Sequence, residues 1–206
     1  MMSASRLADE FGRIDIYLFD LLLRGVIAPP ARILDAGCGG GRNSHYLLRS
    51  GFDVWAVDRD PQALEAMRQA VRKAGREADE NRIRVAAIDA LPFEAEAFDV
   101  VLSSAVLHFA ESTGHWTAMV EEMWRVLAPG GLMWSRLASD IGIEGRIEAL
   151  GEGRYRLPDG SDRFLVSEED LLRATQHLGG TLLDPIKTTN VQGQRCMTTW
   201  VLRKGG

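Results

Sequence analysis

Apolar residues along the first 25 positions recur at helical spacing: Leu7, Phe11, Ile14, Leu18, Leu21 and Leu22. The spacing predicts a helix over 3–24, broken or kinked at Gly12 and ended by Gly25. Such a helix either packs on the edge of a sheet or lays Tyr17 and its neighbours as a lid over a ligand. Past Pro29-Pro30 the period changes, and Arg32-Ile33-Leu34 reads as a short buried strand. Asp35 opens a loop with Gly37, Gly39, Gly40 and Gly41, and a helix follows from Asn43 to Leu48. Residues 51–57 form a second strand ending in Asp58. Asp60-Pro61 then supplies an N-cap and a first-turn proline for a helix whose inner face is Leu64, Met67 and Val71.

A charged connection over 73–81 leads to a third strand, 83–88, and a fourth, 98–103. Trp116, Val120, Met123 and Leu127 share one face of a helix over 115–127, which Pro129-Gly130-Gly131 stops before a fifth strand, 132–137. Residues 138–166 show little periodicity and hold a turn at Leu157-Pro158-Asp159-Gly160. This stretch, carrying Arg146 and Tyr155, is either a cover on the ligand edge of the sheet or a plain surface excursion. Ser167 and Asp170 form a capping box for a helix with Leu171, Thr175 and Leu178 inward. Residues 181–189 and 195–202 read as a terminal hairpin. Strands alternating with helices predict one α/β domain, a Rossmann-like doubly wound sheet. Its expected parts are an N-terminal helical segment (1–28), a core (31–137), an insert (138–166) and a C-terminal helix and hairpin (167–206).

Composition narrows the class. The 206 residues are 46% hydrophobic, ample for a single core, and the net charge is −5. No Lys or Arg stripe is visible, which disfavours nucleic acid as a partner. Cys38 and Cys196 belong to no metal or redox pattern, so no metal is expected and Cys38 reads as a small buried filler. The N-terminus lacks signal-peptide features, and Asp20 interrupts the apolar run Ile16 to Leu23. No membrane span and a cytoplasmic location are the expectations.

Strand, glycine turn and helix in that order make the first half of a nucleotide-binding βαβ unit. The glycines accept positive φ and let a ligand approach the backbone, and the helix start offers free N–H groups. A dinucleotide fingerprint would place its third glycine where Arg42 stands. This chain has Gly37-x-Gly39-x-Gly41 instead, with Asp35 two residues ahead. A carboxylate there repels a pyrophosphate but welcomes an ammonium group. Asp58, 17 residues past Gly41, can accept both hydroxyls of a ribose. Asp89 can accept from an adenine amino group, or serve ordinary turn chemistry.

The pattern Asp-x-Gly-x-Gly-x-Gly resembles motif I of class I S-adenosylmethionine-dependent methyltransferases. Ile33–Asn43, Val57-Asp58, Asp89–Phe93, Phe98–Leu102 and Glu122–Gly131 resemble that family's successive motifs, in order, over about half the chain. Gly41-Arg42-Asn43 is also similar to the small-molecule branch that includes tellurite- and thiopurine-type enzymes. The resemblance implies seven strands with the last antiparallel. It implies S-adenosylmethionine as cofactor and S-adenosylhomocysteine as product. Asp35 would then lie near the ammonium, with Gly37, Gly39 and Gly41 along the methionine chain. Arg42 and Asn43 would help with the carboxylate, Asp58 with the ribose, and Asp89 and Ala90 with the adenine, and Arg59 is a further candidate cofactor contact. The backbone around Ser104 would close the near side. His108, after the fourth strand, is a candidate general base or a histidine satisfied beside Phe109. Tyr17, Arg146 and Tyr155 are candidate acceptor contacts. The expected acceptor is a small soluble molecule. A tRNA or protein methyltransferase and a non-catalytic cofactor-binding regulator are the alternatives, and the Asp/Asn-Pro-Pro-Tyr signature of base-methylating enzymes is absent where Ser103-Ser104-Ala105-Val106 stands.

Overall fold

The computed structural model describes residues 4–75, 79 and 81–206, so part of the predicted charged connection lies outside the described residues. Five parallel strands form the centre: β1 (Arg32–Ala36), β2 (Asp53–Asp58), β3 (Ile83–Val85), β4 (Phe98–Ser104) and β5 (Leu127–Ser139). Three short strands, β6 (Glu148–Gly151), β7 (Arg154–Arg156) and β8 (Asp162–Phe164), make a separate antiparallel sheet. Then come β9 (Gly180–Leu182), β10 (Lys187–Val191) and β11 (Arg195–Lys204). The main sheet runs β10-β11-β5-β4-β1-β2-β3, seven strands along its path, with β9 paired to β11 as an eighth. β11 is antiparallel to both β5 and β10. The order reverses at β1, between β2 and β4, and such a switch point leaves a crevice at the carboxyl ends of the strands.

The sheet is covered on both faces. Helices α2 (Ile16–Leu23), α3 (Ser44–Arg49) and α4 (Pro61–Lys73) bury Leu18, Leu21, Leu47, Leu64 and Met67 with Ile33, Val54 and Trp134. On the other face, α5 (Thr113–Val126) and α6 (Glu168–His177) bury Trp116, Val120, Met123 and Leu171 with Leu34, Val101 and Trp200. The predicted first helix is two: α1 (Ala4–Phe11) stops at Gly12, which adopts φ +65, and α2 starts under the cap of Asp15. The capping box of Ser167 and Asp170 forms as expected. No helix among the described residues is long and apolar enough to cross a membrane.

Three expectations change. β3 stops at Val85, not Ile88, because its only partner β2 ends at the opposing Asp58, and residues 88–90 curl into a 3-10 turn. β5 begins at Leu127, ahead of Pro129-Gly130-Gly131, because Leu127 already pairs with Phe98 and the glycine turn is absorbed as an irregularity in the ladder. The insert is sheet, not irregular chain. Its strands of three or four residues are too short to show a period, and Leu157 and Leu165 pack with Ile143, Ala138 and Cys196.

One buried ion pair fastens the N-terminal helices to the sheet. The Asp15 carboxylate, 8% exposed, accepts the Tyr17 N–H at 3.0 Å and lies 3.3 Å from Nε of Arg136 on β5. Its removal strands a largely buried guanidinium as well as uncapping α2. Asp15→Ala is therefore expected to cost about 3 kcal/mol in urea unfolding, against about 1 kcal/mol for Ser167→Ala, which removes a cap alone. Equal losses would mean that the Arg136 pair contributes nothing.

Candidate functional site

The glycine loop folds back over the end of β2: Gly37 and Cys38 donate their N–H groups to the Val57 carbonyl at 2.9 and 3.0 Å. Its glycines serve two different needs. At Gly37 (φ +80) a Cβ would lie 2.5 Å from Val106 Cγ2, and at Gly41 (φ +78) 2.6 Å from Met67 Sδ. Those two let the loop pack against the protein. Gly39 (φ +52) has no atom within 4 Å of where a Cβ would stand, so it presents bare backbone to the space above it. The Asp58 carboxylate fixes that backbone, accepting the Gly39 N–H at 2.8 Å with one oxygen and the Asp60 N–H at 3.0 Å with the other.

A cavity of about 500 Å³ opens at the switch point, a volume suited to a small ligand. Its wall brings together Gly37, Gly39, Arg42, Asp58, Arg59, Asp89 and Ser104 of the predicted residues. Arg42 donates to Ser104 Oγ at 2.8 Å, bridging the glycine loop to the end of β4. Phe109, His115 and Met119 also line it and were not expected there. His115 sits in the first turn of α5, where Ser112 caps the helix. Its Nδ1 accepts the Glu111 N–H at 3.2 Å, and Nε2 lies 3.8 Å from Asp89. Only the fold brings that histidine to Asp89, so no sequence spacing announces it.

Other predicted residues stand behind the wall or away from it. Asp35 is 2% exposed beneath the loop, where it accepts a 2.6 Å bond from Ser44 Oγ. Burial pushes its carboxyl up to about 6, against the pull of Ser44 and Arg42. Gly41 is packed on Met67, and Asn43 is buried with Oδ1 accepting the Asp15 N–H at 2.9 Å, so it ties the loop to α2. Ala90 is exposed at the end of the 3-10 turn, outside the cavity wall. Cys38 lines the cavity but is no nucleophile, its thiol held far above the usual range by burial and by Asp35.

His108 is corrected. It is 6% exposed, and burial, with Arg163 nearby, lowers it to about 4. Its Nδ1 accepts the Ala138 N–H at 3.2 Å, so the neutral ring carries its proton on Nε2 and offers no lone pair to a substrate. It packs 4.6 Å from the Phe109 ring, the second of the two expected alternatives. The three acceptor contacts do not converge. Tyr17 bonds Thr189 Oγ1 at 3.1 Å beneath the Arg136 guanidinium, and Arg146 reaches the Gly193 carbonyl at 3.4 Å. Tyr155 lines a different cavity of about 480 Å³ between α5, α6 and the small sheet. Tyr17 stands on α2 and both Arg146 and Tyr155 on the insert, and none of them lines the switch-point cavity.

Comparison with known proteins agrees with this geometry. Residues 34–135 match the family described as "Methyltransferase domain". The uncharacterized methyltransferase YodH of Bacillus subtilis is 34% identical over 128 residues, 62% of this chain and 49% of that protein. A ubiquinone biosynthesis O-methyltransferase of Methylocella silvestris is 39% identical over 105 residues, 50% of this chain and 38% of that protein. The chain thus spans about half or less of the length of these relatives. The crystal structure of Burkholderia thailandensis 1,6-didemethyltoxoflavin-N1-methyltransferase, with bound 1,6-didemethyltoxoflavin and S-adenosylhomocysteine, superposes with a TM-score of 0.65 at 21% identity. That match covers 98% of this chain and 82% of the other. Residues 34–135, just under half of the chain, thus carry the methyltransferase domain, on the fold of the class I S-adenosylmethionine-dependent methyltransferases.

The buried Asp35 makes a pH prediction. Its folded-state value lies above the ordinary 3.8, so its protonated form is favoured in the fold and the associated stability is full below about pH 4. That stability is lost as pH rises through about 6. At 1.36 kcal/mol per pH unit the interval is worth about 3 kcal/mol. Urea unfolding of Asp35→Asn should therefore lack a decline of that size which the native protein shows between pH 4 and 7. Parallel curves for the two proteins would place the Asp35 ionisation elsewhere.

Proposed function

We propose that this protein transfers a methyl group from S-adenosylmethionine to a small soluble acceptor. The observation that carries the reading is one cavity at the switch point that joins the bare Gly39 backbone, the carboxylates of Asp58 and Asp89, and the Arg42 guanidinium. That donor and acceptor set fits a nucleoside bearing an amino-acid tail. Asp58 has lone pairs left for ribose hydroxyls after accepting from Gly39 and Asp60, and Asp89 can accept an adenine amino group. Arg42 can swing from Ser104 Oγ to meet a carboxylate, and Asp35 adds negative potential beneath the loop once ionised. When bound, the cofactor supplies a sulfonium methyl that passes to an acceptor lone pair as the carbon–sulfur pair stays on sulfur. This chain's part is to orient both partners and to exclude water, for which Val106, Phe109 and Met119 give an apolar wall.

Two observations support a small acceptor: no Lys or Arg stripe marks the surface for a polyanion, and the 1,6-didemethyltoxoflavin enzyme, which superposes on this fold, holds a small heterocycle. Asp58→Ala should weaken S-adenosylhomocysteine binding in calorimetry by about 1.5–3 kcal/mol, the scale of hydrogen bonds to a charged group. Unchanged affinity would remove Asp58 from the ribose site. With labelled S-adenosylmethionine in a desalted cell extract, supplemented with the separated small-molecule pool, label is expected in the small-molecule fraction and not with Asp58→Ala. Label in RNA or protein would replace the small acceptor with a macromolecular one.

A further inference from the structure

The chemical class of the acceptor follows from what stands at the end of β4, an inference that rests on the methyltransferase reading. Ser104, Ala105, Val106 and Phe109 line the cavity there. Asp58 lies at the tip of β2, on the far side of β1, about 10 Å away at two strand spacings. Phe109 lines the wall yet is 48% exposed, so part of its ring stays open beside His108 and Arg163.

The Arg163 guanidinium, on β8, sits 5.1 Å from the centroid of that ring. One of its Nη1 hydrogens goes to the Asp162 carbonyl at 2.7 Å. Asp159 and Asp162 feel its charge, but each is held by another partner. Ser161 Oγ donates to Asp159 at 2.6 Å, and Arg156 grips Asp162 with both Nε and Nη2. Among the described residues no carboxylate comes within salt-bridge distance of Arg163. It is a half-buried cation, laid on a cavity-lining ring, without an ion pair.

The histidines point the same way. His115 in the wall and His108 behind Phe109 both have Nδ1 filled by a backbone N–H, so each carries its proton on Nε2. An acceptor that had to shed a proton at this end would find no ring nitrogen to take it. One that arrives as an anion needs none.

We propose that the methyl acceptor is a planar carboxylate, lying along the Phe109 ring with its charge against Arg163: one carboxylate oxygen bonds the methyl carbon as the carbon–sulfur bond breaks with its pair left on sulfur, giving a neutral methyl ester and S-adenosylhomocysteine. The guanidinium fork suits a carboxylate better than a point charge does, and a flat body matches the exposed aromatic face. Benzoate and its neutral isostere benzamide are the probes, titrated by calorimetry into protein first saturated with S-adenosylhomocysteine. Native protein is expected to bind benzoate at least tenfold more tightly than benzamide. Arg163→Gln should erase that preference and Arg163→Lys should keep part of it. Equal affinity for the two probes in the native protein, no benzoate binding, or a preference that survives Arg163→Gln overturns the proposal. A native protein that does not take S-adenosylhomocysteine at all overturns the underlying methyltransferase reading and this proposal with it, whereas saturation without discrimination overturns this proposal alone.

Discussion

The site depends on one carboxylate at the tip of β2. Asp58 takes the Gly39 N–H with one oxygen and the Asp60 N–H with the other, so a single side chain fixes both the glycine loop and the start of α4. Charge-assisted bonds of this kind are among the stronger ones available to a surface-facing group. They matter here because the loop carries its own conformational cost. Gly37, Gly39 and Gly41 all have positive φ, and glycine loses the most freedom on ordering. The loop is therefore shaped before a ligand arrives, and less ordering remains to offset binding.

Beneath that loop the protein buries charge, and each buried group is handled differently. Asp15 lies against Arg136 and caps α2. Asp35 has a hydroxyl partner, but burial outweighs the pull of Ser44 and Arg42, and its carboxyl is pushed up to about 6. His108 settles as a neutral ring whose Nδ1 accepts a strand N–H that would otherwise be unpaired. For Asp35 and His108 desolvation is the leading cause, and their hydrogen-bond partners decide what each group can still do. A residue's position after a strand end is thus a weak guide to its chemistry until its hydrogen bonds are known.

That distinction explains what could be read from the sequence. The strand centres, the glycine loop, Asp60-Pro61 and the Ser167 capping box rest on local rules, and they appear where those rules put them. The end of β3 was misjudged because it is set by the length of β2, a non-local fact. β6, β7 and β8 were invisible because three or four residues cannot display a period of two. Asp58 and Arg42 reach the cavity because each stands at a strand end or loop that the pattern located, whereas Asp89 reaches it from the 3-10 turn beyond β3. Tyr17, Arg146 and Tyr155 depended on how separate segments meet, and they meet elsewhere.

The same logic divides the molecule by function. The stretch that matches the methyltransferase domain family ends at Ser135, one residue before the arginine that anchors α2. All the residues that line the switch-point cavity lie inside it, carried by β1 to β4, the turns after them and α5. Arg163 lies outside it, in the small sheet between β5 and α6, and reaches the cavity only through Phe109. The loop and strand-end carboxylates of the first part follow local rules, so a sequence displays them. The contact of Arg163 with Phe109 joins separate segments of the chain and has no local rule to follow. That part of the molecule must therefore be read from the charges and rings the fold brings together.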